Sequence, residues 1–175
     1  MKKTDLPYSL PTPVATLHGE QHFKLAPDAE ARARMAAALD LDGIESLNAH
    51  LKVTQAASGL VTIEGQLDAR YSPICVVSLE PFEQTISAPV ALKLAPEGLI
   101  EKMTKRAEEN GDADFEPPDP ILEGSIDLGA IVTEFLALEL DPYPKKPGAA
   151  FKGGDPVEPE VSPFSALAAL KRKDS

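Results

Sequence analysis

Val61-Thr62-Ile63-Glu64-Gly65-Gln66-Leu67-Asp68-Ala69-Arg70-Tyr71 alternates apolar and polar residues almost without interruption. The apolar set is Val61, Ile63, Leu67, Ala69 and Tyr71, and the polar set is Thr62, Glu64, Gln66, Asp68 and Arg70. Successive side chains of a strand point to opposite faces, so this stretch reads as a strand with one dry and one wet face. Its neighbours repeat the pattern. Leu47–Val53 sets Leu47, Ala49, Leu51 and Val53 against Asn48, His50 and Lys52. Phe82–Leu94 offers Phe82, Ile86, Ala88, Val90, Leu92 and Leu94 to the same side. A wet face on every strand favours an antiparallel sheet, because parallel sheets are covered on both faces. Ser58-Gly59 and Ser72-Pro73 supply the reversals between strands. Pro89 falls on the outward side and cannot donate to a ladder, which places its strand at an edge or at a bulge.

Helices flank these strands. Pro27-Asp28-Ala29-Glu30 opens one that runs to about Leu39, with proline in the first turn and acids where the helix dipole favours them. Asp42-Gly43 closes it. Asp127 caps a second helix from Leu128 to about Leu140, whose Leu128, Ile131, Val132, Phe135 and Leu138 form one apolar stripe. Glu20–Leu25 and Ile121–Ile126 read as short strands. Glu97–Glu116 is highly charged and reads as loosely helical at most. The expected fold is α+β: an antiparallel β-sheet with helices packed on one face, an acidic insertion and a proline-rich C-terminal tail.

Charge and proline divide the chain. The 175 residues carry a net charge of −11. Met1–Pro96 contributes −3, Glu97–Asp127 contributes −7, Leu128–Leu140 contributes −2, and Asp141–Ser175 is +1. Nine of the 17 prolines lie between Pro117 and Pro163. Residues 1–144 are therefore expected to form a single domain with a flexible acidic insertion at about 97–120. Residues 145–175 are expected to form a slightly basic, proline-rich tail.

Composition excludes several classes. A single cysteine can form neither an internal disulfide nor a cysteine-based zinc site. No apolar run approaches the roughly 20 residues of a membrane span. The lysines at Lys2 and Lys3 are followed by no apolar signal region, which points to a cytoplasmic protein. The acidic balance argues against DNA as a partner.

Little in the sequence points to catalysis. His18 and His22 are spaced for a metal only on a helix, and the residues around them read as strand. No metal, cofactor or catalytic residue is assigned. Cys75 lies between apolar Ile74, Val76 and Val77, surroundings expected to raise a thiol pKa. The carboxylates Glu108, Glu109, Asp112 and Asp114 read as a solvated charge run.

The tail offers contact residues instead. Tyr143, Lys145, Lys146, Phe151 and Lys152 interleave aromatics with bases, a pattern that suits RNA through phosphate neutralisation and stacking, or simply keeps a tail soluble. Ser162-Pro163 opens an apolar run in which Phe164, Leu167 and Leu170 recur every third residue before Lys171, Arg172 and Lys173. So short a helix is marginal alone, and it docks either on its own domain or on a partner.

Ile126–Leu138, followed by Asp141-Pro142-Tyr143-Pro144-Lys145-Lys146-Pro147-Gly148, resembles the YceD-type large ribosomal RNA subunit accumulation proteins, in an alphaproteobacterial-like variant. Pro163–Lys171 resembles the end of the same family. Many members carry a C-x-x-C-L-x-P turn in the sheet. Here Cys75, Leu79 and Pro81 match it, and Ser78 replaces the second thiol. A metal or redox role for the pair lacks its second ligand, and the stretch reads as a structural turn. The resemblance implies a non-enzymatic role in synthesis, processing or stability of the large-subunit ribosomal RNA. The implied partner is a pre-ribosomal large-subunit particle, ribosomal RNA or a ribosomal protein. On the last option, the acidic stretch Glu97–Asp127 would shield a basic protein.

Overall fold

A computed structural model describes residues 6–150. The three alternating stretches form the centre of the sheet as strands β3 (Gly43–Gln55), β4 (Val61–Ser72) and β5 (Gln84–Ala95), which follow β1 (Pro11–Pro13) and β2 (Glu20–Leu25). β2, β3, β4 and β5 pair antiparallel in chain order. The registers Val53↔Ile63 and Ile63↔Leu92 put the apolar sets on one face. Val53, Val61, Ile63, Leu67 and Val90 are buried there, while Glu64, Asp68 and Arg70 are exposed on the other face.

Helices α1 (Ala29–Ala38) and α3 (Leu128–Glu139) share one core with the dry face, through Met35 and Ala36 of the first and Leu128, Ile131, Val132 and Leu136 of the second. Each large side chain so buried contributes on the order of 2 kcal/mol relative to exposure. Both helices start at aspartates. The Asp28 carboxylate accepts the N–H of Ala31 at 2.8 Å, and that of Asp127 accepts the N–H of Ala130 at 3.0 Å. The fold class is α+β, with the helices on one face of a mainly antiparallel sheet.

Three elements differ from the sequence-based expectation. Glu97–Asn110 is a full α-helix, α2, where a loosely helical stretch was expected within the acidic insertion. Leu99, Ile100, Met103 and Ala107 recur at helical spacing among its charges, and only Ala107 is buried. Gly111 ends it in the left-handed region at φ 67, where glycine carries no Cβ penalty. The strand expected over Ile121–Ile126 is split into β6 (Asp119–Pro120) and β7 (Ser125–Asp127). β6 adds a short parallel pairing to Leu94 and Ala95 of β5, and β7 pairs with β1. Phe82 lies outside β5, in the preceding turn, where its N–H donates to the Pro73 carbonyl at 3.1 Å. Pro89 sits on the stretch of β5 that β6 does not cover, in accord with an edge position.

Candidate functional site at the Cys75 turn

β4 ends at Ser72, and the chain turns through Pro73–Glu83 before β5. Ile74 bridges Pro81, and the Cys75 N–H donates to the Glu80 carbonyl at 2.9 Å. The Leu79 N–H closes the inner turn on the Cys75 carbonyl at 2.9 Å. Leu79 itself adopts φ 58, a conformation that costs a residue with a Cβ roughly 1–2 kcal/mol. The turn thus bends tightly around one side chain.

That side chain is Cys75, which has no exposed surface. Its Sγ accepts the backbone N–H groups of Val77 and Ser78, each at 3.4 Å, and that of Lys146 at 3.3 Å. The thiol is drawn down to about 6, first by a hydrogen bond from the Ser78 side chain, then by the N–H groups of Lys146 and Ser78. This reverses the expectation of a raised pKa. Ile74 and Val76 are apolar in sequence but each is 44% exposed, so they turn away from the sulfur. What faces the sulfur is the Ser78 side chain and backbone N–H, and donors of that kind favour the charged form.

The segment after α3 closes the other side. Asp141 Oδ1 accepts the Tyr143 N–H at 2.9 Å and fixes a local turn. The Pro144 carbonyl accepts the Val76 N–H at 2.9 Å, and Lys146 Nζ meets Glu80 Oε2 at 2.9 Å. The Glu80 carboxyl is held below its ordinary range by that hydrogen bond and by the Lys146 charge. Being exposed on both sides, the ion pair adds little stability. The backbone bonds to Val76 and Cys75 fix the join.

Several sequence candidates therefore meet here. Cys75, Leu79, Pro81 and Lys146 belong to one hydrogen-bonded unit, and Tyr143 stands beside its Pro144 strut, largely exposed. Lys145 is exposed. Phe151, Lys152, Phe164, Leu167, Leu170, Lys171, Arg172 and Lys173 lie outside the described residues, as does the expected C-terminal helix. Glu80 and Pro144 were not singled out from the sequence. Their roles come from pairing across the fold, which no local pattern encodes. The Ser78 role had a signal: in a C-x-x-S turn, residue i+3 is the one whose N–H returns to the sulfur.

Chemically the unit is a clamp. A fully buried sulfur acts as an acceptor for backbone donors and presents no surface to a substrate. Among the described residues, no three His, Cys, Asp or Glu side chains come together as a metal-holding group. His22 contacts Glu20 on the surface of β2, and His18 precedes that strand. Among these residues no helix is long and apolar enough to cross a membrane.

The clamp has an apolar rim. Ile74, Val76, Leu79 and Tyr143 are exposed around it. Beside it a cleft of about 430 Å³ opens between the end of α1, the end of β4 and the end of α3. Tyr71 lines it, its hydroxyl donating to Gln84 Oε1 at 2.8 Å. Burial, and then the nearby Asp141 charge, push the Tyr71 pKa up.

Comparison with protein families gives a match. The family described as "Large ribosomal RNA subunit accumulation protein YceD" matches residues 63–171, more than half of the chain. The matched stretch begins in β4 and takes in the Cys75 turn, α2, α3 and the segment that closes the clamp. No curated protein and no solved structure matches.

Proposed function

The chain belongs to the YceD family of large ribosomal RNA subunit accumulation proteins, and from that premise we propose that it supports accumulation of the large-subunit ribosomal RNA by binding, not by catalysis. The family match carries this reading. It covers both halves of the clamp, where sequence candidates converge among the described residues. The buried Cys75 sulfur supports the non-enzymatic part, because its hydrogen bonds come from the backbone of Val77, Ser78 and Lys146 and from the Ser78 side chain. The protein acts in the cytoplasm on a pre-ribosomal large-subunit particle, through its RNA or one of its proteins.

The decisive experiment is depletion. Large-subunit ribosomal RNA and the large-subunit peak on a sucrose gradient should both fall, and tagged protein should sediment with large-subunit precursors. Normal subunit profiles after depletion would overturn the reading. Direct RNA contact through Tyr143, Lys145, Lys146 and the basic tail predicts binding that weakens steeply with salt. Alanine at Lys145, Lys146, Lys171, Arg172 and Lys173 should flatten that slope.

A second reading is favoured by α2. It opens the acidic stretch Glu97–Asp127 as a solvent-facing helix with one buried residue; the helix itself carries four acids and three bases, and the six acids that follow it, from Asp112 to Asp127, carry most of the excess. Such a surface suits an adaptor that shields a basic ribosomal protein without touching RNA. Charge complementarity of this kind speeds encounter and is weakened by salt.

A further inference from the structure

The cleft beside the clamp is apolar on its walls and acidic on its rim. Leu41, Ile74, Val76 and Leu140 line it, with Asp40 and Asp141 at its edge. We propose that its occupant is the chain's own C-terminal segment, Phe164–Leu170, with Lys171-Arg172-Lys173 lying toward the acidic rim.

Complementarity of chemistry is the first argument. Phe164, Leu167 and Leu170 recur at a spacing that puts all three on one helical face. An apolar stripe of that width matches an apolar wall, and so short a helix needs a surface to persist. The basic triplet follows the stripe directly, as an acidic rim requires. Lys146, the cation of the clamp, pairs with Glu80.

Tethering is the second. Pro144 lines the cleft, and the described chain ends shortly beyond it at Ala150. The intervening Phe151–Pro163 spans at most about 45 Å when extended. A tether of this length holds the segment near its site at an effective concentration of order millimolar. A free partner of similar chemistry would have to displace it. The third argument is that the family match, which starts in β4, runs on to residue 171 and so includes the run together with two of the three cleft walls.

Methyl and amide NMR on the full chain tests this. Phe164→Ala/Leu167→Ala/Leu170→Ala should shift the methyl resonances of Leu41, Ile74, Val76 and Leu140. Ile63 and Val90, in the sheet core, should stay unmoved and report an intact fold. Lys171→Glu/Arg172→Glu/Lys173→Glu should shift the same cleft resonances, and so should raised salt. The proposal is overturned if shifts stay within the tail, or if they map to another surface. It is also overturned if they depend on protein concentration and sedimentation shows a dimer, which would assign the cleft to a second copy.

Discussion

The Cys75 sulfur accepts the backbone N–H of Lys146 at 3.3 Å across 71 positions of sequence. One atom thereby joins the turn after β4 to the segment after α3. Most of a cysteine's uses need exposure, and this one needs burial.

A pH dependence follows from that bond. The folded thiol titrates near 6 against an ordinary 9.0, so folding favours the thiolate. Between those values the unfolded chain binds the extra proton, and stability rises with pH. The contribution is complete above about pH 9 and is lost as pH falls through about 6. Urea midpoints of the wild type and Cys75→Ser should therefore diverge as pH rises from 6 to 9 and converge below 6. A gap independent of pH would show that the sulfur is bound as a neutral thiol. The Lys146 amide should also exchange faster in Cys75→Ala than in Cys75→Ser, because alanine leaves it without an acceptor.

Gly65 faces Leu51 across β3 and β4, on the dry side of the sheet. A Cβ there would lie 2.1 Å from the His50 carbonyl oxygen and 2.9 Å from Leu51 Cδ2. The neighbour that must yield is backbone in the middle of a ladder, so relief requires the strands to part. Gly65→Ala should cost on the order of 3 kcal/mol or more in a denaturant titration. A loss below about 1 kcal/mol would mean that the sheet flexes there more readily than this close approach implies.

Asp127 does more than cap α3. Its Oδ1 accepts the N–H groups of Ala130 at 3.0 Å and Leu10 at 2.8 Å, and its Oδ2 accepts the Ser9 hydroxyl. Asp28 has the simpler role, accepting from Ala31 at the start of α1. Alanine at Asp28 should cost about 1 kcal/mol, as at an ordinary cap, and alanine at Asp127 about 2 kcal/mol. The difference belongs to the segment before β1. Hydrogen exchange should show the Leu10 amide losing protection in Asp127→Ala and keeping it in Asp28→Ala. Equal costs would reduce Asp127 to a local cap.

The sheet was legible because Val61–Tyr71 and its neighbours each carry a dry and a wet face, a signal written in consecutive residues. The cap at Asp127 was legible for the same reason. The seven charges of Glu97–Asn110, four acids and three bases, mask the stripe of Leu99, Ile100, Met103 and Ala107, so the helix reads as a loose insertion in sequence. The pairing of Pro11–Pro13 with Ser125–Asp127 gave no signal, since both pieces are three residues long and lie more than 100 positions apart. The Cys75 turn was found by its residues but misjudged in its chemistry. Ile74 and Val76 neighbour Cys75 in sequence but turn outward, whereas the Ser78 side chain and backbone donors turn in. Half of the clamp comes from Pro144 and Lys146, and only the fold brings them to Cys75.

The acids of α2 sit where helix stability does not explain them. Glu97 lies in the first turn, where the dipole welcomes it, but the last turn has no base and carries Glu108 and Glu109. Acids at that end are disfavoured, and lysine there would be favoured. Glu108→Lys/Glu109→Lys should therefore keep the fold and gain about 0.5 kcal/mol in a denaturant titration. Both residues are exposed, so core packing is untouched. If the acidic stretch Glu97–Asp127, which α2 opens, shields a basic ribosomal protein, the same variant should bind large-subunit precursors more weakly, with a flatter salt dependence. Stability gained while binding is lost would separate the two roles of these carboxylates. Unchanged binding at low salt would remove α2 from the contact and leave the acids from Asp112 to Asp127, or the tail and its bases, as the surface that meets the precursor.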